Sequence, residues 1–291
     1  MTFRTAALAA AICASLPVPA FAQDSQIDTA PADPYADTVF SGDYISVGIG
    51  AVLSPSYSGS NDYVVSPLPI VQASFGGIDL NPRPAGLAVD FVSDSGKGPG
   101  FDLGIAGRLR ADRAQQISDS VVKSLGELDR AVELGPTAGI SFPAVFNPYD
   151  SVTISTDVMW DVAGAHDGMV IAPSLAYFTP LSEAVAASLT FSAQYADGDF
   201  HDYYYRVTPA QNLATGGVLP AFEPQGGGFT SAGVNLLLGF DLDGNLANGG
   251  LGLVAIVGYS RMLGDAKRTP FTSVRGSADQ FLGGLGLGYT F

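Results

Sequence analysis

The feature that most limits what this chain can fold into is an apolar/polar alternation of period two. It recurs along most of the sequence, and no run of 18 apolar residues interrupts it. In "FDLGIAGRLR", Phe101, Leu103, Ile105 and Leu109 share one face, while Asp102, Arg108 and Arg110 share the other. "VTISTDVMWDV" sets Val152, Ile154, Val158, Trp160 and Val162 against Ser155, Asp157 and Asp161. "VAASLTFSAQY" sets Val185, Leu189, Phe191 and Tyr195 against Ser188, Thr190, Ser192 and Gln194. "AGVNLLLGFDL" sets Val234, Leu236, Leu238 and Phe240 against Asn235 and Asp241. Successive side chains of a strand point to opposite faces, so each segment reads as a strand with one apolar face. That face can point inward, as in a soluble sandwich or barrel, or outward into lipid.

Composition separates the two. Mean hydropathy is +0.25 and charged residues make up 14%, against the ~25% usual in soluble domains. Arg4 begins a positive n-region, Ala6 to Val18 is apolar, and Ala20-Phe21-Ala22 fits a small-x-small cleavage site before Gln23. Residues 1–22 therefore read as a secretory signal peptide. The single cysteine, Cys13, lies inside it, so the exported chain is expected to have no disulfide. An exported, apolar chain without a spanning helix can cross lipid only as a closed barrel, because every backbone polar group must be paired internally. The net charge of −15 argues against a nucleic-acid partner.

Residues 23–42, polar and proline-bearing, read as a flexible periplasmic tail, and residues 43–291 as the barrel. The alternation places strands at 44–53, 68–75, 78–81, 86–92, 101–110, 131–142, 151–162, 169–178, 185–195, 230–242, 250–260 and 280–291. The fold is thus an all-β, antiparallel up-and-down transmembrane barrel of about twelve strands. The 78–92 pair is the weakest, because "NPRPAG" interrupts it and Pro67 and Pro69 precede it; without it the count is ten. With both termini periplasmic, the long connections 54–67, 111–130, 196–229 and 261–279 fall on the outer side. The closing "GGLGLGYTF" puts Phe281, Leu285, Leu287, Tyr289 and Phe291 toward lipid and Gly284, Gly286, Gly288 and Thr290 inward. Tyr289 and Phe291 resemble the C-terminal signal read by the outer-membrane assembly machinery. The expected lumen-facing polar set is Asp102, Arg108, Arg110, Glu133, Asp157, Asp161, Gln194 and Asn235. At ten or twelve strands, a narrow polar passage and a folded-in loop are both open.

No residue set points to catalysis, a metal or a cofactor. The two histidines, His166 and His201, fall in expected outer loops, and His201 stands beside Asp197, Asp199 and Asp202 in "DGDFHDYYY". This reads as a solvated acidic turn with Tyr203, Tyr204 and Tyr205 at the membrane boundary. "DLDGN" (241–245) lacks the later glutamate of a calcium loop and reads as a turn.

Three segments resemble the MipA/OmpV outer-membrane proteins, the MltA-interacting protein family. They are "GIGAVLSPSYSGSNDYVVSPLPIVQASFG" (48–76), the pair "LGELDRAVELGPTAGI" (125–140) with "FHDYYYRVTPAQ" (200–211), and "YSRMLGDAKRTPFTSVRGSADQFLGGLGLGYTF" (259–291). The last carries a loop motif of Tyr259, Arg261, Leu263, Gly264, Asp265, Asp279 and Gln280, departing from the family pattern at Lys267-Arg268-Thr269. The resemblance implies an outer-membrane barrel. For the type member it further implies a non-enzymatic scaffold between a lytic transglycosylase and a murein synthase; other members are described as porin-like, so a narrow solute channel is the alternative.

Overall fold

The computed structural model describes residues 38–92 and 98–291. The expected signal peptide, with Ala20, Ala22 and Gln23, and most of the tail lie outside the described residues. Twelve strands form one closed sheet: β1 (Tyr44–Pro55), β2 (Tyr63–Phe75), β3 (Ile78–Arg83), β4 (Gly86–Asp90), β5 (Gly100–Arg110), β6 (Ala131–Pro143), β7 (Ser151–Asp161), β8 (Met169–Ser182), β9 (Val185–Ala196), β10 (Gly228–Asp241), β11 (Gly250–Met262) and β12 (Asp279–Thr290). Each pairs antiparallel with its sequence neighbours, and β12 returns to β1. The 78–92 pair is present, so the count is twelve and not ten. Its strands are nevertheless short, because Pro84 and Ala85 turn the chain back after Arg83.

Closure holds to the last residue. Phe291 and Ile45 exchange backbone hydrogen bonds across the β1–β12 seam. Along this seam Gly48 faces Gly288 and Gly50 faces Gly286. A Cβ on Gly50 would stand 2.3 Å from the Leu285 carbonyl oxygen and 2.7 Å from the Gly286 Cα, so glycine is what allows the backbones to approach this closely.

The apolar faces turn outward. Phe101, Leu103, Ile105, Leu109, Phe281, Leu285 and Leu287 are all exposed, as a lipid-facing band requires. Aromatic residues border it on both sides. Phe75, Phe91, Tyr289 and Phe291 stand near the end where β1 starts and β12 finishes, the expected periplasmic end, and Trp160, Phe229, Tyr259 and Phe281 near the opposite, expected outer, end. The first outer connection is shorter than the sequence suggests, because β1 and β2 continue to Pro55 and Tyr63 and leave only 56–62 between them.

The outer connections carry helices α1 (Ser120–Lys123), α2 (Gly198–Tyr205), α3 (Pro209–Ala214), α4 (Gly264–Arg268) and α5 (Pro270–Ser273). At the other end a 3-10 turn, Val39–Ser41, seats Phe40 against the buried cluster of Phe178, Ala186, Leu237, Leu246 and Val254.

Candidate functional site: a capped lumen over a buried charge cluster

The outer loops fold over the barrel mouth as a cap with its own core. Phe200, Tyr204 and Tyr205 of α2 pack with Val170, Ala196, Met262 and Ala266. Beside them Tyr57, Ile117, Val122, Val207, Leu219 and Phe271 form a second cluster. Helix α2 begins because the Asp197 carboxylate accepts the Phe200 amide, and α3 because Thr208 and Gln211 form a reciprocal capping box with Pro209 at the first helical position. The expectation of a solvated turn with tyrosines at the membrane boundary is therefore corrected. "GDFHDYYY" is a helix, and Tyr204 and Tyr205 are buried. Five buried partners, Val170, Ala196, Phe200, Met262 and Ala266, outweigh the pull of interfacial solvation on the rings.

His201 is also buried, not in a flexible loop, and its Nδ1 lies 3.1 Å from an Asp265 oxygen. Asp265, on α4, further accepts the Gln225 amide at 2.8 Å and the Arg268 guanidinium at 2.5 Å. Burial pushes the Asp265 carboxyl up, but Arg268, the Gln225 amide and His201 outweigh it and hold it below the ordinary carboxylate range. Arg113 lies over the Phe271 ring at 4.1 Å and donates to the Tyr204 carbonyl. The Tyr57 hydroxyl is pushed up to about 12 by burial and by Asp119.

Beneath the cap lies the charge cluster. Glu133, fully buried, accepts from Arg108 Nε at 2.7 Å and Arg110 Nε at 2.6 Å, and His166 Nε2 stands 3.2 Å away. Arg110 also reaches Gln194 Oε1 at 3.0 Å, and Gln194 donates to Thr230. Above, Arg110 stacks on Phe200 at 4.9 Å, tying cap to cluster. Arg83 of β3 crosses the lumen to Asp157 at 3.0 Å, and Thr137 donates to the same carboxylate. Lower still are hydroxyl pairs Ser141–Thr153, Ser155–Ser174 and Ser46–Thr290. The lumen therefore passes from apolar cap to ionic layer to hydroxyl layer to the Phe40 cluster.

The remaining named residues divide by position. Asp102 lies beside Gly139 and Asn235 beside Gly258 on inward faces. Asp161 ends β7 and accepts the amides of Ala163, Ala165 and His166. Within the loop motif, Leu263, Gly264 and Asp265 build the cap, and Gln280 bridges inward to Ser60. Tyr259 and Arg261 instead face outward, both bonded to Asp279 Oδ1, at 2.6 and 3.1 Å. The acids near His201 do not converge. Asp197 caps α2 and Asp202 pairs with Arg206, and among the described residues no group of three His, Cys, Asp or Glu could hold a metal. Asp241 accepts the Asp243, Gly244 and Asn245 amides, a turn. Sequence reasoning missed Arg83 and Arg113, which are invisible without the fold, and helix α3, whose "TPAQ" capping box was legible.

Among solved structures the chain is similar to the COG4313 outer membrane channel from Pseudomonas putida F1, at 14% identity over 91% of this chain and 100% of that one, TM-score 0.45. It is also similar to the P. putida toluene transporter TodX (8% identity, 87% and 90% coverage, TM-score 0.36) and to OmpT of Vibrio cholerae (8%, 86% and 97%, 0.32). No curated protein matches. The model of the MltA-interacting protein MipA family matches residues 47–291, from the fourth residue of β1 to the last of the chain, and this outer-membrane barrel belongs to that family.

Proposed function

We propose that the protein is a non-enzymatic envelope scaffold, a barrel that holds a lytic transglycosylase and a murein synthase at the outer membrane. The observation that carries this reading is the closed outer mouth, where the two cap clusters and the Glu133 layer stand across the axial path. An outer end occupied in this way leaves the periplasmic rim for recognition. There Phe40 moors the tail, and Val145 and Phe146 stand exposed in the β6–β7 turn. The signal peptide is removed after Ala22, and Tyr289 and Phe291 address the chain to the assembly machinery. Deleting Phe291 should then slow barrel insertion in cells.

The test is capture of solubilised envelope proteins on the immobilised, refolded barrel, with an unrelated barrel as control. Selective recovery of a transglycosylase or synthase, lost on deleting 23–37, supports the scaffold. Recovery of neither, together with single-channel conductance through the intact barrel, would replace it with the narrow-channel reading that the hydroxyl-lined middle favours.

A further inference from the structure

The wall of this barrel is not of even height. β2 has 13 residues, but β3 and β4 after it have six and five. At ~3.3 Å per residue and a ~45° tilt, β3 rises ~14 Å against an apolar band of ~25 Å. β3 pairs with β2 only at Ala73–Phe75, the periplasmic end, so the missing wall is the outer half. Segment 111–117 crosses above, with Gln116 3.4 Å from Ser66 and Asp112 accepting the Ser58 amide. Three non-glycine residues with positive φ, Ala85, Arg113 and Gln116, lie in the turn below and the segment above.

The exposed edge of β2 has a particular chemistry. Phe291 and Ile45 exchange hydrogen bonds, so odd residues of β1 face β12 and even ones face β2. Gly48 pairs with Ile70 and Gly50 with Leu68. It follows that Val65, Pro67, Pro69 and Val71 turn their backbone groups to the open side, where no strand among the described residues pairs with them. An open sheet edge in hydrocarbon is costly because its donors and acceptors lack partners. Two of these four positions are proline and have no N–H, which leaves an edge dominated by carbonyl acceptors. Outside it stand the lipid-facing Val65, Leu87 and Leu109, and behind it the half-buried Leu68 and Ile70.

We propose that this notch is a lateral portal, taking from the outer leaflet a small amphipathic molecule with an apolar body and a hydrogen-bond donor that meets the β2 carbonyls. The inference goes beyond the scaffold reading and does not depend on it.

The test uses the full mature barrel refolded in liposomes, with N-phenyl-1-naphthylamine as probe. Its N–H is a donor, and its N-methyl analogue has none. The sole tryptophan is replaced (Trp160→Phe), and a reporter is placed beside the notch (Leu87→Trp, or Leu109→Trp if the first folds poorly) or on the opposite wall, on β9 (Phe191→Trp). We expect saturable energy transfer to the probe from the notch reporters only, and affinity about fivefold lower for the N-methyl analogue, the ~1 kcal/mol of one hydrogen bond. Transfer that rises linearly with probe and equally at Phe191→Trp would mean simple bilayer partitioning and would overturn the portal. Equal affinity for the two probes would overturn recognition by the carbonyl edge.

Discussion

Replacing Glu133 by glutamine tests the charge cluster most directly. The side chain is wholly inaccessible, and its two arginines are only 14% and 12% exposed. Glutamine keeps the shape but leaves two buried guanidiniums without their counter-charge. Breaking a buried pair in this way costs about 3–5 kcal/mol, and two arginines share this one carboxylate. A loss of about 4 kcal/mol reduces the folded-to-unfolded ratio by about a thousandfold. The matching control replaces the whole set, Arg108→Met, Arg110→Met and Glu133→Leu. It should be nearly neutral, because removing all the charges also removes their desolvation cost. The assay is urea unfolding from lipid vesicles, followed by the emission of Trp160, the only tryptophan and a lipid-facing one. If Glu133→Gln shifts stability by less than about 1 kcal/mol, or the triple variant is the less stable of the two, the cluster is solvated and the reasoning fails.

Three further outcomes are expected. Gly50→Ala should lose about 1–3 kcal/mol by overpacking the seam, while Gly283→Ala, whose Cβ would meet nothing within 4 Å, should leave heat-modifiability on gels unchanged. Phe271→Ala removes a ring buried in the cap, so outer loops should become protease-sensitive while the barrel stays folded; the local loss is about 3–5 kcal/mol. Because the folded Asp265 carboxyl titrates below its unfolded value, its stabilisation of the cap is complete above the unfolded value and is lost as pH falls through the folded one. Protection factors of the α4 amides, exchange rates relative to the unstructured chain at the same pH, should therefore be level from about pH 8 to 5 and fall below about pH 4, and Asp265→Asn should abolish that dependence.

Strands were legible in this chain because lipid outside and polar groups inside impose the same period-two pattern along each of them. Phe101 to Leu109 and Phe281 to Phe291 needed nothing else. The cap was not legible for a related reason. Its helices are four to eight residues long, too short for a 3.6-residue period to emerge, and α2 reads as acidic and aromatic. What stabilises it is long-range, with His201 meeting Asp265 and Arg113 meeting Phe271 from separate loops. Pairings between distant loops leave no local trace. Pro67 and Pro69 fall between these cases. They read as defects in a strand, and the register makes them features of an edge, sparing the open side of β2 two donors it could not satisfy.

The cap and the notch bear on each other. The long outer connections 111–130, 197–227 and 263–278 supply the cap, while β3 and β4 are joined by two residues, 84 and 85, and send nothing over the mouth. The wall is therefore lowest where the loop is shortest, and the segment leaving β5 must serve both as part of the cap and as the upper edge of the notch. Arg113 and Gln116 lie in that segment, both at positive φ, one seated on Phe271 and the other beside Ser66. Loosening the cap at Phe271 should therefore also widen the notch, so Phe271→Ala should raise the rate at which the naphthylamine probe reaches the Leu87→Trp reporter. The periplasmic scaffold surface proposed above would lie at the opposite end and should be untouched. If Phe271→Ala weakens partner capture while leaving probe transfer unchanged, the two ends are not independent and the division of roles proposed for them is wrong.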